Sequence, residues 1–188
     1  MKMRYSGFTL AFASISIAIN IVLGTATQML KLPLIFLDTV GTIFSAVILG
    51  PLAGAIVGGL TNVIQGLITN PKDIPFAIVN IVIGLVVGFI ARRYKFNLPV
   101  AIVTGIIIAV IAPIIGTNIV IVFFGGVTGS INDIISTWLV KSGQSIFTAN
   151  FIPRITGNMI DKIISCILVS SLYRLLPKSL IERSKSNA

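Results

Sequence analysis

The chain has 188 residues, 55% of them hydrophobic and only 10% charged, with a mean hydropathy of +1.05. Soluble domains hold about 25% charged residues, so the composition excludes a water-soluble globule and predicts an all-α integral membrane protein, a single transmembrane domain over 1–188. The formal net charge of +9 would point to nucleic acid in a soluble chain; in a membrane chain it reports basic residues kept on the cytoplasmic side, and no nucleic-acid partner is expected.

The chain has no histidine and one cysteine, Cys166 in an apolar run, which argues against a disulfide framework and a metal site. There is no phosphate-binding loop, no acidic cluster for magnesium and no nucleophile beside a base. No cofactor, no catalytic residue and no ATP hydrolysis by the chain itself are expected.

A membrane span needs about 20 apolar residues. In chain order, the apolar runs predict six transmembrane helices at roughly 7–29, 34–49, 52–69, 74–91, 98–124 and 146–176. Lys2 and Arg4 before the first run imitate a signal peptide, but the run is too long for one and reads as an uncleaved first helix. Gly50-Pro51 breaks the second from the third, Asn70-Pro71-Lys72-Asp73 is a turn, and Arg92-Arg93-Tyr94-Lys95 is a short basic loop. Residues 125–144 form a glycine-punctuated connection with a helical pattern around 131–140.

Six helices put both termini on one side of the bilayer. With that side in the cytoplasm it holds Lys2, Arg4, Arg92, Arg93, Lys95, Arg174, Lys178, Arg183 and Lys185, against Lys31, Lys72 and Lys141 outside. The imbalance fixes the expected orientation: a multi-pass protein of the plasma membrane with N- and C-termini cytoplasmic.

Polar side chains then sort by depth, and they fall in the outer halves. Helix one has Asn20, Thr25, Thr27 and Gln28 late; helix two has Asp38 and Thr39 early; helix three has Asn62, Gln65 and Thr69. Helix four has Asn80, helix five Thr117 and Asn118, and helix six Asn150, Arg154 and Asn158, with Asp161 and Lys162 nearer mid-span. Membrane-embedded polar groups are expensive, so they turn into the bundle. The simplest object with this distribution is a polar cavity open to the outside and closed on the cytoplasmic side. Candidate solute contacts are Asp38, Asn62, Gln65, Asn80, Asn118, Trp138, Asn150, Arg154 and Asn158. Asn62 or Gln65 alone more often serves as glue between helices than as a ligand contact, an interface anchor is the commoner role of a residue such as Trp138, and Asp161 with Lys162 would equally serve as a structural pair. Asp38, Asp161, Arg154 and Lys162 sum to zero charge, which suits a neutral or zwitterionic solute if they line the cavity. Gly54-xxx-Gly58, and Asn80, Gly84 and Gly88 on one face, mark close helix packing. Ala11, Ser14 and Ala18 give the first helix a small-residue face for packing or for docking a membrane subunit.

Six short helices, Phe36-Leu37-Asp38-Thr39-Val40-Gly41, Leu49-Gly50-Pro51-Leu52-Ala53-Gly54, Gly126-Val127-Thr128-Gly129-Ser130 with Asn132-Asp133, and Asp161-Lys162 together resemble the substrate-binding S components of energy-coupling factor (ECF) vitamin transporters, in particular the riboflavin-type group. The resemblance implies a bundle that captures a vitamin-like solute, riboflavin or a related flat compound, and works with a transmembrane coupling subunit and two cytoplasmic ATPases. It also implies a docking pattern, alanine-x-x-x-alanine, on helix one; the nearest match is Ser14-xxx-Ala18, with serine replacing one alanine. A stand-alone facilitator or channel is the alternative, and it would need polar residues along the whole path.

Overall fold

The computed structural model describes residues 7–30, 32, 34–130 and 132–177. Lys2, Arg4, Lys31, Lys178, Arg183 and Lys185, used above to orient the chain, lie outside the described residues, as do Pro33 and Ile131. Seven α-helices follow in order: α1 Gly7–Met29, α2 Val40–Leu49, α3 Pro51–Ile68, α4 Ala77–Arg93, α5 Leu98–Phe124, α6 Asn132–Lys141 and α7 Ile146–Leu175. A 3-10 turn, Pro71–Phe76, precedes α4. No strand occurs among the described residues.

The six full spans expected from hydropathy become five. α1, α3, α5, α7 and the 3-10 turn joined to α4 are long and apolar enough to cross a bilayer. α2 has only 10 residues, about 15 Å of helix against a hydrocarbon core of about 30 Å. The apolar run from 34 does not continue as helix because Leu34 and Leu37 adopt left-handed φ values of 66° and 51°. The backbone of this segment finds its partners on other helices instead. The helical pattern in the outer connection is α6, a separate helix of 10 residues.

Local chemistry sets the boundaries. Gly50, at φ 95°, makes the left-handed joint between α2 and α3, and Pro51 starts α3 where a missing N–H costs nothing. Asn97 caps α5 by accepting from Val100 N, Ser145 caps α7 by accepting from Thr148 N, and Gly125 in the left-handed region ends α5.

Lipid tails give helices no hydrophobic reason to associate, so close backbone packing does much of that work. The backbone of α4 at Gly84 lies against Gly54 and Ala55 of α3, Gly88 against Pro51, and Gly58 against Asn80. The α5 backbone at Gly105 lies against Ile163 and Lys162 of α7. The small-residue stripes of α3 and α4 are thus internal seams.

These contacts define two ends. One holds Gly50, the Arg92 side chain beside it and the 94–97 loop, where Phe96 O accepts from Ser170 Oγ at 3.3 Å. Above it, Ile43, Ala46, Ile83, Val87, Ala101, Ile108, Cys166 and Val169 pack into an apolar core. The opposite end gathers residues 34–39, the 3-10 turn, the α5–α6 connection and the start of α7.

Candidate functional site

At that opposite end the polar side chains divide into connected sets. The first fixes residues 34–39. Asp161 is fully buried, and its Oδ1 accepts from the N–H groups of Phe36 and Leu37, each at 2.8 Å. Its Oδ2 pairs with Lys162 Nζ at 2.6 Å. Lys162 Nζ also reaches Asp38 Oδ1 and Thr39 Oγ1, both at 3.1 Å. From the other side Thr27 Oγ1 donates to Phe36 O at 2.7 Å, and the Phe36 ring lies over Gly157. The irregular segment is stapled between α1 and α7, with Asp161 and Lys162 as the staple. The choice between a structural pair and a solute contact resolves geometrically toward a bonded network. Asp38 remains its partly open member, with a side chain 41% exposed, beside Gly24 and the Gln65 amide.

Asn20, buried in α1, is the second hub. Its Nδ2 donates to Thr42 Oγ1 and Thr61 Oγ1 at 2.9 and 3.0 Å, and its Oδ1 accepts from Gly41 N at 2.6 Å. It ties α1, α2 and α3 together just beneath the first set.

A third set runs from α3 to α4. Asn62 Nδ2 donates to Asp73 O at 3.2 Å, and Asn80 Nδ2 donates to Asn62 Oδ1 at 2.7 Å. Asn80 Oδ1 is buried without a partner. Three other residues complete the pattern. Asn150 Nδ2 donates to Ile146 O at 3.1 Å, leaving its buried Oδ1 unpaired. Arg154 buries Nε and Nη2, and Thr117 buries Oγ1, again without hydrogen-bond partners. The level of these groups follows from the packing. α5 meets the base of α4 where Gly116 lies against Phe76 and Val79, and it meets α7 at Gly105–Ile163 and Gly126–Asn150. Thr117 and Arg154 both lie between the two α5–α7 contacts. Only Ser16 and Ser165 add further unpaired buried side-chain atoms among the described residues, and both are lone hydroxyls nearer mid-helix.

Buried polar atoms normally have partners. Four residues with unpaired buried atoms, Asn80, Thr117, Asn150 and Arg154, thus fall toward one end of the bundle. Of the expected contacts, Asp38, Gln65, Asn62, Asn80, Asn150 and Arg154 come to this end and turn inward to varying degrees. Three others stand apart. Asn118 is exposed and donates to Ile114 O of its own helix at 2.7 Å. Trp138 on α6 is 67% exposed. Asn158 is half-buried and donates to Arg154 O at 2.9 Å. Thr117 joins the unpaired set although nothing in its sequence context distinguishes it from a threonine bonded to its own helix.

The cover over this end is also built from hydrogen bonds. Asp133 Oδ2 accepts from the backbone N–H groups of Thr128, Gly129 and Ser130, and Oδ1 accepts from the Thr128 and Ser130 hydroxyls. Ser130 and Asp133 stand three apart, the spacing of a capping box. Lys72 Nζ donates to Thr128 O at 2.7 Å, and Phe76 stacks on Phe124 at 6.4 Å between ring centroids. The 3-10 turn and the α5–α6 connection are thus fastened to each other. A groove elsewhere, lined by Ala55, Ile56, Gly59, Leu60, Val63, Ala77 and Ile81 of α3 and α4, is apolar.

The profile of the ECF transporter substrate-specific component family matches residues 8–173. The chain belongs to that family. No curated protein and no solved structure matches this ECF substrate-specific component. Membership makes the chain a substrate-binding part of an ECF importer, a multi-pass protein of the cell membrane that works with the importer's other subunits, and not an enzyme. No group of three or more His, Cys, Asp or Glu suited to a metal occurs among the described residues.

Proposed function

We propose that this ECF substrate-specific component captures a small vitamin-like solute from outside the cell at the polar end of the bundle. Asp38, Gln65, Asn80, Thr117, Asn150 and Arg154 form the contact set. The supporting observation is the concentration of unpaired buried polar atoms at Asn80, Thr117, Asn150 and Arg154. Residues 34–39 and the fastened 3-10 turn and α5–α6 connection cover the solute. The end that holds Gly50 and the 94–97 loop faces the cytoplasm, so that Arg92, Arg93, Lys95 and Arg174 meet the inner surface, in line with the positive-inside rule. The apolar core at that end holds hydroxyls bonded to backbone carbonyls, such as Thr104 to Val100 O and Ser45 to Thr42 O. Such a plug favours capture over a stand-alone channel or facilitator.

Release inward then depends on partners: a transmembrane coupling subunit and two cytoplasmic ATPases. The purified chain in liposomes is expected to bind its solute without moving it across, and to transport only when those subunits and ATP are added. Transport by the lone chain would overturn this function. Docking is assigned to the exposed face of α1, where Ala11, Ser14 and Ala18 lie between Leu10, Ile15 and Val22. Small side chains there let another helix approach closely. Ala18→Leu, alone or with Ser14→Leu, is expected to cut ATP-driven uptake at least tenfold while leaving solute affinity within twofold of wild type. Unchanged uptake would remove α1 as the docking face.

A further inference from the structure

We propose that the captured solute is a carboxylic acid whose carboxylate docks on the Nε–Nη2 edge of Arg154. This rests on the capture function above and specifies the solute class for that site. It narrows the vitamin-like class to acids, and riboflavin itself is neutral. The two unpaired atoms of Arg154 are Nε and Nη2. They form one edge of the guanidinium, and their N–H bonds run parallel, matching the two oxygens of a carboxylate. Both are buried, and neither has a hydrogen-bond partner in the protein.

The chain does not supply the missing anion. The two ion pairs among the described residues both belong to Lys162, with Asp38 and Asp161, so no described carboxylate lies within 4.0 Å of Arg154. The oxygens of Asp133 are occupied by the Thr128, Gly129 and Ser130 donors. The zero charge sum of the four mid-membrane residues therefore describes two separate systems. Three of those residues are bonded to one another, and Arg154 has no ion pair among the described residues.

The neighbouring groups refine the class. Ile146 O can only accept, so it fixes Nδ2 of Asn150 as the donor and Oδ1 as the unpaired atom. Asp73 O fixes Asn62 in the same way, and Asn62 Oδ1 then fixes Asn80. The unpaired amide atoms at this end are thus both oxygens, Asn150 Oδ1 one helical turn before Arg154 on α7 and Asn80 Oδ1 on α4, and Thr117 on α5 adds a hydroxyl. Amide oxygens repel a second anionic group and require N–H or O–H donors. The fitting solute is a monocarboxylic acid with polar hydrogens on the rest of its body.

The test uses the full chain in nanodiscs and calorimetric binding of matched probes: nicotinate with nicotinamide, pantothenate with pantothenol, and biotin with biotinamide, plus neutral riboflavin and cationic thiamine. At least one acid is expected to bind 30-fold or more tighter than its neutral counterpart. Arg154→Gln is expected to lower that acid's affinity about 100-fold and Arg154→Lys about 10-fold, while the neutral counterpart is affected less than threefold. The wild-type acid-to-neutral ratio needs no variant, so it stands even where Arg154→Gln fails to fold. Tight binding of riboflavin, thiamine or any neutral probe without a preference for acids overturns the acid assignment and leaves capture intact. The same holds for an acid whose affinity survives Arg154→Gln. Native mass spectrometry of the chain from cells is the closing measurement: a retained solute lacking a carboxylate refutes the acid assignment. The absence of both a retained solute and binding of any probe refutes capture itself and the acid assignment with it.

Discussion

Lys162→Met is expected to lower the stability of the folded bundle by about 3–5 kcal/mol, the usual cost of removing one partner from a buried charge pair. The reason is specific. Among the described residues Lys162 Nζ is the only cation bonded to Asp161, which is fully buried, and it also holds Asp38 and Thr39. Methionine keeps much of the stem but leaves Asp161 charged and unneutralised among apolar neighbours. The loss should appear as a large fall in Tm in detergent and as weaker solute binding, since residues 34–39 lose half of their attachment to α7. The double variant Asp161→Asn with Lys162→Met should recover more than half of the loss. The side-chain oxygen of the substituted asparagine can still accept from Phe36 N and Leu37 N, and Asp38, partly open, can hydrate. A Lys162→Met protein as stable as wild type would show that the clamp contributes nothing to holding this segment. A double variant no better than the single would show that uncompensated charge is not the cause.

The same clamp explains where sequence reading stopped. Hydropathy runs placed α1, α3, α5 and α7 closely, because a membrane span is a local property of some twenty consecutive residues. The second helix failed at residues 34–39 because that backbone takes its partners from Asp161 and Thr27, which are distant in sequence or on another helix. No local pattern reports such a partner, and Phe36, Leu37 and Val40 are as apolar as a helix requires. α6 was legible from the helical pattern around 131–140.

For the site, one-sided polarity was legible, since charge and amide groups inside a membrane must be sheltered. Which of them point where was not. Asn118 and Thr117 are adjacent in sequence, yet one is exposed and the other fully buried. Helical phase decides between them, and α5 is so uniformly apolar that nothing in its sequence sets that phase. The charge balance was misleading for a related reason: a sum over Asp38, Arg154, Asp161 and Lys162 cannot tell which charges are bonded to each other. Only the Lys162 network, by occupying three of the four, isolates Arg154.

Gly84→Val is expected to be the most damaging single substitution on the α3–α4 seam, costing about 3 kcal/mol or more through overpacking. A Cβ at Gly84 would run into the backbone of Gly54 and Ala55. Backbone inside a helix cannot step aside without moving the helix, so α3 and α4 must separate. A control lies nearby: a Cβ at Gly59 would meet only Cγ1 and Cδ1 of Ile81, at 3.1 Å, and the end of an isoleucine can rotate. Gly59→Ala should therefore cost under about 1 kcal/mol, despite a small-residue setting that looks the same in sequence. The Gly84 effect should reach the solute site, because Asn80 lies one turn away on the same face and packs through its backbone on Gly58. Parting the seam breaks the Asn80–Asn62 bond and moves Asn80 Oδ1 away from the other unpaired groups. Solute affinity measured on the fraction of Gly84→Val that remains folded should fall by at least tenfold, while Gly59→Ala binds as wild type does. If both variants fold and bind alike, the seam is looser than its backbone contacts imply, and the placement of Asn80 does not depend on it.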